Sequence, residues 1–420
     1  MRALKQGSDE RVTQQRGSIE RQLWISRSQV QQQFHPPTSQ LSKHVREVGL
    51  KVQGERTSFV YAVALLLALF GCGGGSSNSR NNPGGGTPGS TNAGGTPTSG
   101  ANTGSGGSNS GGTGGGTGGG TTSAPTNLVA VGSWTDGTVS LINTSTNQVS
   151  STVTVGQEIN GLAFAPNGSL LYVSDYTSQS VYVVDTSTSK VVAKIAVQDP
   201  GPIAITPDGR FAYVTDTMHL DSKVTVIDTS TNTVAATVKD VGTSPGAIAI
   251  PNATRGYALD TELGSVYVLN LTNNTVAQTI DTGWGYSIAT SPDGKFVYVP
   301  DQAAQAVKII DTSSNTVVGS VATPDPHGLA ETPDGSQLWV TNTSQGSVTV
   351  ISTSSNTVLK TFNSLGSQPW DVAFSPDGKY GYVTNSGSSN VSVVRVADYT
   401  QTSPIQVGAQ PHWIASGRSK

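Results

Sequence analysis

From about residue 127 to residue 416 the chain alternates short apolar runs with short polar ones, and within most runs the apolar positions recur every second residue. One such run, of the form Val-x-Val-Ile-Asp-Thr, places its last aliphatic at Ile142, Val184, Ile227, Leu269, Ile310, Ile351 and Val394, at spacings of 42, 43, 42, 41, 41 and 43 residues. Three other runs keep step with it. A Tyr-Val-Ser/Thr-Asp/Asn run begins at Tyr172, Tyr213, Tyr257, Tyr298, Trp339 and Tyr382, with Val129-Ala-Val131 as a degenerate first copy. A short apolar run precedes the Pro-Asp-Gly turns at residues 161–164, 202–205, 247–249, 287–289, 328–330 and 371–374, with a last copy at 412–415. A Thr-Val-Val-Ala-x-Val run follows each Ser-Asn turn.

Short alternating strands cut by turn residues at a period near 40 predict β-propeller blades of four strands, here called a to d from the axis outward. Seven copies predict an all-β, seven-bladed β-propeller of 28 antiparallel strands. The repeat opens on a strand b at Val129 and stops after a strand a at Trp413. The C-terminal strand is therefore expected to complete the first blade, closing the ring without an open sheet edge.

Composition supports an all-β reading, with 6% aromatic and 12% charged residues and 50 glycines. The chain is not uniform, however. Residues 1–56 form a polar extension with ten Lys/Arg and five Asp/Glu, and residues 59–70 are twelve consecutive uncharged residues. Residues 73–125, rich in Gly, Ser, Thr, Asn and Pro, have little to bury and read as a flexible linker. The remainder, 126–420, is the propeller. Residues 126–420 hold 13 Lys/Arg against 22 Asp/Glu, so an acidic ring without a basic stripe argues against nucleic-acid binding.

Twelve apolar residues are too few to span a bilayer, which takes about 20, but they suit the h-region of a signal peptide flanked by Lys51 and Arg56. Residues 57–72 end in Leu69-Phe70-Gly71-Cys72, which resembles the lipobox of bacterial lipoproteins. That resemblance implies cleavage before Cys72 and a diacylglycerol on its thiol, and hence a membrane partner and a place in the cell envelope outside the cytoplasm. Cys72 is the single cysteine, so no intramolecular disulfide forms. The signal stands far from Met1, and no Met follows before Met218; initiation near Val45, Val48 or Val52 would place it at an N-terminus.

The propeller resembles the YVTN β-propeller family over residues 126–416. Tyr382-Val-Thr-Asn385 is that family's own tetrapeptide, with variants at Tyr172-Val-Ser-Asp175, Tyr213-Val-Thr-Asp216, Tyr298-Val-Pro-Asp301 and Trp339-Val-Thr-Asn342. The wider group implies surface-layer proteins, periplasmic binding propellers, lactonases and electron-transfer subunits, so the resemblance speaks for fold and not for chemistry.

Residues repeated in every blade answer a structural need. Asp175, Asp216, Asp260, Asp301, Asn342 and Asn385, closing strand b, are expected to cap loop amides, and Asp208, Asp293, Asp334 and Asp377 belong to turns. Function is sought where blades differ on the face shared by the d–a and b–c loops. That comparison collects Trp134, Glu158, Asn160, Tyr176, His219, Trp284, Tyr286, His327, Trp370 and His412. Of these, Glu158, Trp284, Tyr286, His327, Trp370 and His412 are the candidates for binding a protein, glycan or small molecule at the mouth of the axial channel. Pro before Trp370, His327 and His412 in three blades equally suits packing.

No metal site is expected, since no H-x-H or H-E-x-x-H spacing occurs, and no cofactor, since there is no C-x-x-C-H. No G-x-S-x-G elbow marks a nucleophile. The expectation is a monomeric, non-catalytic binding or scaffold module; the alternative is a lactonase- or lyase-like enzyme with Glu158 and a histidine as acid and base.

Overall fold

A computed structural model describes residues 127–217 and 222–417. The extension, the h-region with Cys72, the linker and His219 lie outside the described residues. The described chain forms seven four-stranded antiparallel sheets, each in the order a-b-c-d, and contains no helix. Six sheets are built from consecutive strands. In the seventh, which is blade 1, strand a is the C-terminal strand Pro411–Ser416, paired with strand b Leu128–Ser133 in the register Val129↔Ser416, Ala130↔Ala415, Val131↔Ile414 and Gly132↔Trp413. The expected closure by the C-terminal strand is present.

The pattern of the chain explains the packing. Strand b is buried along nearly its whole length because it lies second from the axis, between sheets on both faces, whereas the outermost strand d is mostly exposed. Buried apolar residues of neighbouring blades form the core layers between them, such as the cluster of Tyr172 and Val183 with Ile203 and Val214.

Neighbouring blades are also joined by one repeated hydrogen bond. In four blades the strand-b tyrosine is buried and its Oη donates to an Asn Oδ1 in the c–d turn of the next blade: Tyr172 to Asn232 (2.8 Å), Tyr213 to Asn274 (2.8 Å), Tyr257 to Asn315 (2.7 Å) and Tyr382 to Asn147 (2.5 Å), whereas Tyr298 of blade 5 bonds Glu331. These asparagines have φ between 53° and 56°, the left-handed region that Asn tolerates. Where the tyrosine is missing, its partner is missing too. Blade 1 has Ala130, and the following turn has Ser189; blade 6 has Trp339, and the following turn has Tyr399, whose ring lies 6.4 Å from the indole.

Strand a of blade 5 departs from the expected 287–289, since only Ala289–Thr290 pairs with strand b. In blades 2, 3, 6 and 7 a Ser or Thr hydroxyl of strand b holds a strand-a carbonyl, as Thr341 Oγ1 holds Gly328 (3.2 Å). Blade 5 has Pro300 at that place, which brings neither a hydroxyl nor an N–H. Gly285 fits there because a Cβ would stand 2.2 Å from the Pro300 carbonyl oxygen.

The strand-end carboxylates of Asp175 and Asp260 cap loop amides as expected, whereas the strand-end asparagines bond side chains of strand c instead. Asp175 accepts the amides of Gln157 and Glu158, Asp260 accepts those of Glu262 and Leu263, and Asn385 Nδ2 donates to Asn390 and Ser392. Asp208 accepts the Thr206 hydroxyl and the Arg210 amide within its turn.

Candidate functional site

Strand a is innermost, so aligning its seven copies gives rings of residues around the axis. The second position reads Asn160, Gly201 and Gly246 in blades 2 to 4, then Tyr286, His327, Trp370 and His412 in blades 5, 6, 7 and 1. Half of the mouth is thus small and half is aromatic. The fourth position is aliphatic in every blade, and the fifth is Ala163, Ala204, Ala249, Ala289, Ala330, Ala373 and Ala415, an all-alanine ring that lets seven strands converge.

The large half forms one continuous arc of rings. Trp134 from the b–c loop of blade 1 lies 5.6 Å from His412, which stacks on Trp370 at 4.1 Å and 10°. Trp370 meets His327 at 4.3 Å, His327 stacks on Tyr286 at 5.1 Å and 25°, and Tyr286 meets Trp284 edge-on at 5.9 Å. Threonines of strand b fix the backbone beneath it: Thr341 Oγ1 donates to the Trp370 carbonyl (2.8 Å) and Thr384 Oγ1 to that of His412 (3.1 Å).

The arc has a packed middle and an open end. His327 is 6% exposed, while Trp284 and Tyr286 are 39% and 43% exposed. Burial holds the His327 imidazole down to about 4, against the favourable carbonyl of Trp370 and the more distant Asp325. Burial and then the neighbouring His327 hold His412 down to about 4 as well. Both rings are therefore neutral at pH 7. His327 Nδ1 lies 3.1 Å from the Trp370 carbonyl, which can only accept, so Nδ1 carries the proton and Nε2 remains the acceptor.

Glu158 is the candidate left outside the arc. Its Oε2 accepts the Thr177 hydroxyl at 2.9 Å, and its charge raises Tyr176, behind burial and Asp199, without being among the causes that shift His327 or His412. The hydrogen bond of its carboxylate thus goes to Thr177 and not to a histidine.

Below the arc lies the axial cavity, about 260 Å³, lined by strands a of all seven blades. Its wall includes Asp371 and Trp413, both in strand a and both absent from the sequence-derived candidates. Asp371 borders the cavity and is part-buried, and burial raises its carboxyl to about 7 despite the amides of Val372 (2.9 Å) and Ile414. The signal was in the third position of strand a, which reads Gly161, Pro202, Ala247, Ser287, Gly328, Asp371 and Trp413 and contains one charged residue.

No family model matches the chain. Over 101 residues it is 34% identical to a seven-bladed beta-propeller protein of Mycobacterium tuberculosis (strain ATCC 25618 / H37Rv), a stretch covering 24% of each chain. The fold is a seven-bladed β-propeller. The chain thus spans about a quarter of the length of the curated relative it matches. Among solved structures it is similar to Kuenenia stuttgartiensis hydrazine synthase, with a TM-score of 0.57 and 23% identity over 64% of this chain and 95% of that one. It is also similar to a functionally unknown protein from Desulfotomaculum acetoxidans DSM 771, with a TM-score of 0.63 and 19% identity over 70% of this propeller-bearing chain and 100% of that one. Dihydro-heme d1 dehydrogenase NirN in complex with DHE matches with a TM-score of 0.53 and 15% identity, over 70% of this chain and 76% of that one. Identities this low carry the fold alone.

Proposed function

We propose that this chain is a YVTN-type propeller, held outside the cytoplasm by a lipid on Cys72 and a linker of about 50 residues, that binds a ligand at its aromatic mouth without transforming it. The observation that carries the binding role is the ring arc, closed at His327 and open at Trp284 and Tyr286, above a cavity bounded by all seven blades. Exposed aromatics at a concave mouth offer apolar area with polar edges. Anchoring is supported by the lipobox-like Leu69-Phe70-Gly71-Cys72 after the apolar run. A linker of that length has an r.m.s. reach of roughly 40 Å, which lets a monomeric ring stand clear of its membrane.

Two measurements on the full chain expressed in a bacterium test this reading. Palmitate labelling should mark the wild type and fail in Cys72→Ser; equal labelling would remove the anchor. A thermal-shift survey of glycans, peptides and small metabolites should find a class that raises Tm of the wild type and not of Trp284→Ala/Tyr286→Ala; a survey in which no class does so would remove the binding role. Turnover of a lactone, lost in His412→Gln, would instead establish the lactonase or lyase alternative, whose support is two neutral imidazoles beside the cavity.

A further inference from the structure

Asp371 is the one charged residue in the third ring of the channel, and no ion pair among the described residues includes it. Its carboxyl has backbone amides from Val372 and Ile414 but no cation. A second wall residue, Trp413, has its indole Nε1 buried without a hydrogen-bond partner. The space these two border is apolar at the level of Ile288 and Leu329, and Tyr286 reaches into it from the arc. At about 260 Å³ it is smaller than the roughly 300–1,000 Å³ of sites for drug-sized ligands.

The face through which a ligand would arrive has one sign of charge. The described d–a and b–c loops contain Asp136, Glu158, Asp199, Asp240, Glu262 and Asp325, and no Lys or Arg. The a–b turns on the opposite face carry both signs, Arg210, Lys295 and Lys379 beside Asp208, Asp293, Asp334 and Asp377. A cleft rimmed by carboxylates concentrates cations at its mouth.

We propose that the axial cavity binds a small alkylammonium ion, its charged head against the Asp371 carboxylate and its alkyl groups against Tyr286 and Trp413. This rests on the reading of the mouth as a ligand site and names the ligand class. An ammonium head supplies the charge that the buried carboxylate lacks, and the two aromatic faces add cation–π attraction that is strongest where water is excluded. A neutral sugar in the same place would leave the carboxylate uncompensated. A bare metal ion would find only the carboxylates of Asp371 and Glu331 in the wall, where calcium takes six to eight oxygens.

The probes are choline and its uncharged isostere 3,3-dimethylbutan-1-ol, titrated into the full chain by calorimetry at pH 8. Choline should bind at least about tenfold more tightly than the isostere, since only choline carries the charge that attracts the carboxylate and that the aromatic faces favour where water is excluded. Asp371→Asn, which keeps an oxygen for the Val372 amide, should bring choline down to the level of the isostere. Between pH 6 and 8 the wild-type affinity for choline should rise roughly tenfold as a carboxyl near pH 7 ionises, while His327 and His412, held near 4, stay neutral. Equal binding of the two probes, an unaffected Asp371→Asn protein, or no binding of either would each overturn the alkylammonium site. The mouth as a ligand site would then stand or fall separately on the thermal-shift survey.

Discussion

Tyr382 Oη donates to Asn147 Oδ1 at 2.5 Å, joining residues 235 positions apart across the seam between the last blade and the first. The same bond joins interior blades, as Tyr213 to Asn274 at 2.8 Å, so the closing seam is built like the others. Tyr382→Phe removes one buried hydroxyl and leaves the ring packing intact, and should cost about 1 kcal/mol. Tyr213→Phe should cost the same within about 0.5 kcal/mol. Urea unfolding of both variants checks this, and a seam variant several times more damaging would show that the seam is the weak joint of the ring.

Deleting residues 411–420 is a different perturbation, because it removes strand a of blade 1. The strand pairs with Val129, Ala130, Val131 and Gly132, buries Ile414 against the last blade and supplies His412 to the arc. Its loss exposes the edge of strand b and the apolar area beneath it, at a cost of several kcal/mol or more, far beyond that of trimming a tail. Unchanged melting of the truncated chain would contradict closure by this strand.

The blade count and the closure were legible because each blade repeats the same alternation and the turn residues mark its phase. The Tyr-Asn latch was half legible: Tyr172 and Asn232 each stand in a repeated motif, but that they meet across blades is a matter of three-dimensional register. Asp371 was passed over because it opens an ordinary apolar strand, Asp371-Val-Ala-Phe374. A carboxylate at a strand start reads as solvated until the seven strands are superposed on one axis. Glu158 was drawn toward the mouth by its loop, yet its carboxylate bonds Thr177 in its own blade. The short strand a of blade 5 lies beside Pro300, the one residue at that strand-b position without an N–H.

The arc should divide by exposure when it is mutated. Trp284 and Tyr286 are 39% and 43% exposed, so replacing both by Ala should lower stability by less than about 1 kcal/mol. His327 is buried between Tyr286 and Trp370 and donates to the Trp370 carbonyl, so His327→Ala should cost about 2–3 kcal/mol. The reverse order of damage in denaturant titrations would mean that the exposed pair supports the ring.

Stability should depend on pH through three groups of the arc and channel with opposite signs. His327 and His412 are held near 4 in the folded chain against 6.5 in the unfolded one, so between those values the unfolded chain binds more protons and stability rises with pH. Asp371 is held near 7 against 3.8, so over its window the folded chain binds more protons and stability falls as pH rises. The turn carboxylates Asp208, Asp293 and Asp377 are shifted downward, and their contribution is lost only below about pH 4. From pH 4 to 6.5 two imidazoles outweigh one carboxyl, giving a net rise of about 1.4 kcal/mol per pH unit, with a maximum near pH 6.5. Asp371→Asn should steepen that rise to nearly twice the slope and abolish the decline between pH 6.5 and 7, making the variant the more stable protein at pH 8. His412→Gln should flatten the rise toward zero. Urea unfolding from pH 4.5 to 8 separates these profiles, and an Asp371→Asn curve that overlays the wild type would show that this carboxyl is ionised throughout and solvated by the channel.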